Sequence, residues 1–188
     1  MNTQDLLRTI KNRRNTKSFT EEDVKKSDIE LILESAIWAP NHRNTEPWRF
    51  VVLDKNSPLK KDISSSMIKL QELSSKSTLT EDQKKNIILS IDKSPCFIFV
   101  FTTLGDNPEM TEENYGAVCC AIQNMQLLAT TLGLGVGWST GKISKINNLN
   151  KLLEVDETLR IVGVLSIGYP NSNIQKSREE FSSLTKWL

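Results

Sequence analysis

One short stretch of the chain, residues 39–50 with the sequence APNHRNTEPWRF, concentrates side chains that donate hydrogen bonds. Between its two prolines lie Asn41, His42, Arg43 and Asn44. Amide, imidazole and guanidinium groups collect in loops where a ligand needs several directed hydrogen bonds. The prolines end the preceding helix and stiffen the entry to the next strand. The stretch is therefore either a ligand-binding loop or a capped turn from helix to strand whose Trp48 packs into the core.

Two small basic clusters lie far apart in the sequence. The first consists of Arg13, Arg14 and Asn15 at the end of the first predicted helix, and the second of Lys176 and Arg178. Cations are favourable at any helix C-terminus, so the first cluster alone has a structural explanation. Guanidinium forks and an amide would also suit a phosphate group. One doubly charged phosphate held by both clusters would explain both, but the sequence alone cannot bring them together.

The segment GLGVGW at residues 133–138 is rich in glycine, yet it follows a helix and enters a strand. A dinucleotide-binding loop has the opposite order, with its glycines leading into a helix N-terminus. These glycines therefore predict a helix C-cap and a place where the backbone approaches a flat ligand closely. The groups that follow could bond the polar edge of a heterocycle or form an ordinary turn: Trp138, Ser139, Thr140 and Gly141.

Composition argues against several function classes. The 188 residues carry 24 basic and 23 acidic side chains, so a net charge of +1 provides no field for nucleic acid or an anionic membrane. No apolar run approaches the roughly 20 residues that span a bilayer. The three cysteines have no metal-ligand spacing, which predicts reduced, buried thiols in a cytoplasmic protein without a metal site. The lone histidine has no serine or cysteine partner nearby, so a bound redox cofactor would have to supply the chemistry.

Apolar spacing predicts the elements that position these groups. Helices are predicted at residues 3–13 with Thr3 as cap, from Ser27 or Asp28 to before Pro40, and at 57–76, 80–91, 112–132 and 144–153; strands are predicted at 48–54, 94–103, 136–139 and 160–169. The Ser-rich residues 73–80 are predicted to be a turn or mobile flap. The run CFIFVFTT should lie at the sheet centre, and the helix at 112–132 should be buried. Helices and strands without strict βαβ alternation indicate a single α+β domain over residues 1–188.

Four segments resemble the motifs of the FMN-dependent nitroreductase family. They are NRRNTKSF (12–19), APNHRNTEPWRFVV (39–52), GAVCCAIQNMQLLATTLGLGVGWSTG (116–141) and IVGVLSIGYP (161–170). Order and spacing hold over nearly the whole chain, and the chain's short length resembles the compact branch that includes the minimal nitroreductases. Two positions depart from the family pattern: Asn15 stands where the family usually has Ser, and Glu46 where it usually has Gln.

The resemblance implies a mixed, mainly antiparallel sheet flanked by helices, in an intertwined homodimer with two FMN sites at the subunit interface. It assigns phosphate and ribityl contacts to Arg13, Arg14 and Asn15, and a C-terminal phosphate contact to Arg178 and Lys176. It assigns the loop that reaches the flavin from the partner subunit to Pro40, Asn41, His42 and Asn44. It assigns the segment along the isoalloxazine to Trp138, Ser139, Thr140 and Gly141.

The implied activity is an oxidoreductase that uses NAD(P)H to reduce nitroaromatics, quinones or other electron-poor acceptors by ping-pong hydride transfer. His42 is then either a proton donor or a residue that only shapes the pocket. A flavin-binding protein that stores or senses FMN without turnover is the alternative. A nucleic-acid module is disfavoured by the near-neutral charge. The sequence identifies neither the acceptor nor a 2′-phosphate pocket that would choose NADPH over NADH.

Overall fold

The fold is built on a four-stranded antiparallel sheet. The computed structural model describes residues 2–172 and 175–188. The strands β1 (Trp48–Leu53), β2 (Cys96–Thr102), β3 (Gly135–Ser139) and β4 (Arg160–Gly168) lie in the order β1-β2-β4-β3. The helices are α1 (Thr3–Asn12), α2 (Lys26–Ala36), α3 (Leu59–Ser75), α4 (Glu81–Asp92), α5 (Pro108–Thr131) and α6 (Leu149–Leu152), with short 3-10 turns at His42–Asn44, Lys142–Lys145 and Phe181–Leu184. The predicted α+β class is confirmed.

Strand β2 lies at the centre of this sheet, as its uniformly apolar sequence predicts. All its residues are buried, because β1 and β4 pair with its two edges and helices cover both faces. Side chains of a strand alternate between faces. Ile98 and Val100 therefore join the core beneath α2 and α5, whereas Phe97, Phe99 and Phe101 join the core beneath α3 and α4. Pairing between the four described strands is antiparallel throughout, and an isolated parallel bridge joins Asn15 to Val136 at the edge strand β3.

Helix α5 is the buried helix that the sequence predicts, but it begins four residues earlier. Asn107 caps it by accepting a hydrogen bond from the Met110 N–H at 2.8 Å, and Pro108 occupies the first turn. Proline is favourable there because its missing N–H would have no helical partner. At the other end Gly133 has φ of +76°, and Leu134 N–H donates to the Ala129 carbonyl at 2.8 Å. The predicted glycine C-cap is thus present as a Schellman motif.

Other predicted boundaries are also wrong, and the helix predicted at 144–153 is a 3-10 turn (Lys142–Lys145) followed by the short α6 (Leu149–Leu152). Asn2 rather than Thr3 caps α1, in a reciprocal capping box with Asp5. Helix α2 begins at Lys26 after Lys25, so neither Ser27 nor Asp28 is its cap. Residues 73–75 of the predicted flap belong to α3, in agreement with the helix predicted to 76, and the hydroxyls of Ser74 and Ser75 donate to helix carbonyls.

The prediction of buried thiols is confirmed for Cys96 and is wrong for Cys119 and Cys120. Cys96 lies within β2, where burial raises the pKa of its thiol to about 12 and keeps it protonated. Cys119 is half-buried and Cys120 is exposed on α5. All three cysteines are free, as the spacing predicts.

Candidate functional site

The two basic clusters meet at one cavity. This cationic cavity has a volume of about 570 Å³ and lies where α1 ends against α5. Its wall contains Lys11, Arg13, Arg14, Lys176 and Arg178 together with Ile10, Asn12 and Gln123. No carboxylate is part of this described lining. The tail therefore returns its basic residues to the start of the chain, which the sequence could not establish.

Arg13 is a half-buried cation of this cavity. It follows the last residue of α1 with an extended backbone (φ −56°, ψ 128°), so its side chain leaves the helical direction. Its NH1 donates to Oε1 of the buried Gln126 at 3.2 Å. Burial, followed by the positive charges of Arg14 and Arg178, lowers the pKa of Arg13 from its ordinary value. Like charges held this close without a carboxylate provide a strong field for an anion.

Arg14 is oriented differently from its neighbour. Its NH1 donates to the carbonyl of Arg13 at 2.8 Å and also to the carbonyl of Lys11, at the C-terminal end of α1. These carbonyls have no helical donors left, and a cation satisfies them. The simple structural explanation of the basic cluster therefore applies to Arg14, while Arg13 faces the cavity and α5.

The segment after Arg14 is held against β3. The side-chain oxygen of Asn15 accepts a hydrogen bond from the backbone N–H of Trp138 at 2.7 Å. The backbone N–H of Thr16 donates to the Val136 carbonyl at 3.0 Å. Asn15 therefore uses its acceptor to fix the segment, which leaves its amide NH₂ for other contacts.

The glycines of β3 make this approach sterically feasible. A Cβ on Gly135 would lie 2.5 Å from Thr16 Oγ1, and one on Gly137 would lie 2.2 Å from the Thr16 carbonyl oxygen. No side chain fits at these distances. A close approach at these glycines is thus present, and within the chain the approaching residue is Thr16, by its side chain at Gly135 and by its backbone carbonyl at Gly137.

A second and larger cavity adjoins the same segment. It has a volume of about 770 Å³ and lies between α4 and the outer part of the sheet. Its polar lining includes Lys17, Ser139, Ser166, Asn86, Ser90 and Asn171. Residues 13–17 therefore lead from the cationic cavity to this polar cavity. Of the four predicted isoalloxazine contacts, Ser139 alone is in the described lining.

The other three predicted isoalloxazine contacts, Trp138, Thr140 and Gly141, flank Ser139 in the sequence. The Trp138 indole lies over Gly163 of β4, and its Nε1 is buried without a hydrogen-bond partner among the described residues. Thr140 and Gly141 are exposed after β3. Ser139 Oγ accepts from the Gly141 N–H at 3.2 Å, so this hydroxyl also closes a local turn, the alternative that the sequence left open.

The donor-rich loop at residues 40–47 has a specific but strained shape. Arg43, Asn44 and Glu46 all have positive φ, between 42° and 52°, which non-glycine residues rarely adopt. Asn41 Oδ1 accepts from the Glu46 N–H at 3.0 Å, and Thr45 Oγ1 donates to Oδ1 of Asn114 in α5 at 2.9 Å. Such strain persists only where the surroundings enforce it, and it is frequent at ligand sites.

This loop does not join the cationic cavity within one chain. Pro40, Asn41, His42 and Asn44 are absent from the linings of both cavities. Thr45 of the loop is hydrogen-bonded to Asn114, and Arg13 is hydrogen-bonded to Gln126. These two residues of α5 are twelve positions apart, which corresponds to about 18 Å along the helix axis. The loop and the cations therefore lie apart within one chain and line different surfaces.

Several residues around the cavities were missed by sequence reasoning. They are Gln126, Gln123, Lys11, Ser166, Asn86 and Ser90. Gln126 carried a readable signal, because it occupies a helix position four residues after the buried Ile122, where an apolar residue is expected. The others are ordinary surface types whose importance depends on tertiary proximity.

Metal and membrane features are absent from the described residues. Nowhere in residues 2–172 and 175–188 do three or more His, Cys, Asp or Glu side chains gather as metal ligands. No described helix combines the length and apolar character that crossing a bilayer requires.

Comparison with known proteins identifies the family. The family model named Nitroreductase family matches residues 10–169. The protein named Putative NAD(P)H nitroreductase YfhC from Bacillus subtilis (strain 168) is 30% identical over 162 residues, which cover 86% of this chain and 82% of that protein. The chain therefore belongs to the nitroreductase family, as its four motifs indicate.

Solved structures confirm the fold. A nitroreductase-like family protein from Bacillus cereus has a TM-score of 0.84 and 26% identity, covering 100% of this chain and 98% of that chain. A protein from Desulfovibrio desulfuricans, solved in complex with FMN, has a TM-score of 0.75 and 26% identity, covering 98% and 96% of the two chains. The predicted nitroreductase-like architecture is thus correct.

Proposed function

We propose that this protein is an FMN-dependent oxidoreductase that uses NAD(P)H to reduce nitroaromatics, quinones or other electron-poor acceptors in a ping-pong reaction. The observation that carries the proposal is the cationic cavity, where five basic side chains and no described carboxylate surround about 570 Å³. A phosphate monoester carries up to two negative charges and accepts several hydrogen bonds, so it matches this donor set. FMN is the flavin with such a group, whereas riboflavin lacks it.

The residues present fit FMN beyond its phosphate. Arg13 and Arg178 would hold the phosphate with Arg14 and Lys176 beside them, since all four line the cavity. The amide NH₂ of Asn15 would donate to the ribityl chain, while its oxygen accepts from the Trp138 backbone N–H. The polar cavity beyond Lys17, with Ser139 in its wall, would hold the flavin ring. When bound, FMN supplies the hydride chemistry, accepting from NAD(P)H and donating to the second substrate.

We propose that the active form is a homodimer. The loop residues Pro40, Asn41, His42 and Asn44 would complete the site of the other subunit, because they line neither cavity of their own chain. The C-terminal tail supports the same assembly. Phe181, Leu184 and Trp187 are 71%, 73% and 86% exposed, and apolar side chains in that number favour burial against a partner.

The proposal extends to the domain organisation, partners and location of the protein. We infer one domain over residues 1–188, no nucleic-acid partner given the net charge of +1, and a cytoplasmic location in keeping with three free cysteines. His42 would act at the edge of the partner's flavin and shape the pocket.

Two measurements test this function. The absorption spectrum of the freshly purified protein should show flavin bands at about one FMN per subunit. Steady-state oxidation of NADH and of NADPH should then accelerate when a nitroaromatic or quinone is added. A protein that only stores or senses FMN would bind the flavin yet oxidise NAD(P)H no faster than free FMN does, and this result would replace the enzyme by the alternative.

A further inference from the structure

Behind the cationic cavity lies a buried amide. Gln126 is 4% exposed in α5, and buried apolar residues, Ile122, Met125 and Ala129, surround it on the same helix face. A polar side chain in such a place is unfavourable unless its polar atoms are hydrogen-bonded. The Oε1 atom accepts a hydrogen bond from NH1 of Arg13 at 3.2 Å. The amide is thus aimed at a half-buried cation of the cavity.

A neutral acceptor at this place has a specific electrostatic effect. Arginine has many rotamers, so fixing its guanidinium before a ligand arrives lowers the ordering cost of binding. A carboxylate would fix it equally well, but it would neutralise the charge that the anion needs. The amide oxygen orients the guanidinium and leaves its charge intact. Because the described lining also lacks a carboxylate, the full positive charge stays available to a ligand.

We propose that Gln126 is a positioning residue that holds the Arg13 guanidinium toward a phosphate monoester and that its neutrality sustains the affinity of the cavity for that dianion. The inference rests on the proposed function in naming FMN as the phosphate carrier. Gln126 acts through Arg13 and does not itself touch the anion.

Two substitutions separate orientation from charge. Gln126→Met keeps the length of the side chain and removes the acceptor, whereas Gln126→Glu keeps an acceptor and adds a negative charge. Thr131→Glu is the matched control, because it adds the same charge at an exposed position of the same helix. Full-length variants are titrated with FMN, with riboflavin and with inorganic phosphate, and thermal unfolding of the apoprotein reports on folding.

We expect Gln126→Met to weaken FMN binding about three- to tenfold and Gln126→Glu to weaken it more than tenfold. Riboflavin affinity should stay within about twofold in both, because riboflavin has no phosphate to lose contact with Arg13. Thr131→Glu should leave the FMN dissociation constant within about twofold. A role in packing alone would weaken FMN and riboflavin equally, and that outcome overturns the proposal. Unchanged FMN affinity in Gln126→Glu overturns it as well.

The phosphate titration keeps this test independent of the proposed function. If the wild-type protein bound neither flavin, the proposed function would fail, but inorganic phosphate would still report on the Arg13 cavity. Weaker phosphate binding in Gln126→Glu than in Thr131→Glu supports the positioning role, and equal binding refutes it. If Gln126→Glu does not fold, Gln126→Met tests the proposal alone. A loss of FMN affinity without a loss of riboflavin affinity supports the positioning role, and equal losses refute it.

Discussion

Arg13 and Arg14 are adjacent in the sequence, but their guanidinium groups serve different purposes. Arg14 donates to carbonyls at the end of α1, as a cation at a helix C-terminus commonly does. Arg13 donates to Gln126 across the α1–α5 contact. The two explanations that the sequence could not separate therefore apply to different residues. The difference arises because the helix ends at Asn12 and the extended backbone of Arg13 redirects its side chain.

The first prediction at the residue scale concerns Arg13. We expect Arg13→Ala to weaken FMN binding by roughly ten- to a hundredfold, because a hydrogen bond to a charged group contributes about 1.5–3 kcal/mol. Arg43→Ala is the matched control, since Arg43 is exposed in the strained loop and lines neither cavity. Fluorescence titration of the apoproteins with FMN measures both dissociation constants. Equal constants for the two variants would remove Arg13 from the phosphate site.

The second residue-scale prediction concerns His42. Its side chain is exposed in the 3-10 turn His42–Asn44, where it would meet the partner's flavin. A general acid contributes about 10²–10⁴-fold to a rate, but transfer to quinones or nitro groups can draw its proton from water. We therefore expect His42→Asn to change the Michaelis constant or FMN affinity several-fold and to leave the oxidative half-reaction within about tenfold. Stopped-flow measurement on FMN-saturated protein provides the rate. A loss beyond a hundredfold would identify His42 as the proton donor.

At the scale of elements, β3 and residues 13–17 form one unit. The hydrogen bonds from Trp138 to Asn15 and from Thr16 to Val136 fasten the segment along the strand. Two glycines of β3 leave the space that this contact needs. The segment connects the cationic cavity to the polar cavity, so its placement determines whether the two can bind parts of one ligand.

A substitution in β3 tests that unit. A Cβ on Gly137 would meet the Thr16 carbonyl oxygen at 2.2 Å, so we expect Gly137→Ala to destabilise the fold by about 1–3 kcal/mol and to weaken FMN binding. Gly116→Ala is the control. Gly116 lies within α5 with nothing within 4 Å of the added Cβ, so this change should stabilise by about 0.5–1 kcal/mol. Urea unfolding of both apoproteins gives the comparison. Equal stability of the two variants would contradict the close packing of Thr16 on β3.

The elements themselves were largely predictable, and their long-range partners were not. The apolar run of β2, the all-round apolar α5 and the glycine C-cap at Gly133 follow from local periodicity and backbone preference, and the structure has all three. The steric need for glycine at position 137 could not be predicted, because the residue it contacts, Thr16, lies far away in the sequence. The meeting of Arg13 with Arg178 depends on the same kind of distant contact. The family was identified by four sequence motifs in the expected order, whereas the spacing of apolar residues indicated only the fold class.

At the scale of the whole molecule, one subunit places the two parts of the proposed site apart. The cations lie at one end of the contact along α5 and the loop around His42 lies near the other, about 18 Å away. A two-fold symmetric pair can supply the loop of one subunit to the cations of the other. The tail that carries Lys176 and Arg178 continues into exposed aromatic and aliphatic residues. Anchoring the tail on a partner would therefore also fix the basic residues at the phosphate.

The last prediction follows from this coupling between the tail, the dimer and the flavin. We expect FMN to be retained only by the dimer, and the double variant Phe181→Ser, Trp187→Ser to raise the dimer dissociation constant at least tenfold, because burial of one large apolar side chain contributes about 1.5–3 kcal/mol. Lys186→Ser is the control, since it lies in the same tail and removes no apolar surface. Sedimentation velocity, followed at protein and flavin wavelengths across a dilution series, measures assembly and FMN content together. An FMN-saturated monomer at micromolar concentration would refute the shared site, because the cations and the tail of one chain would then hold the flavin without a partner's loop.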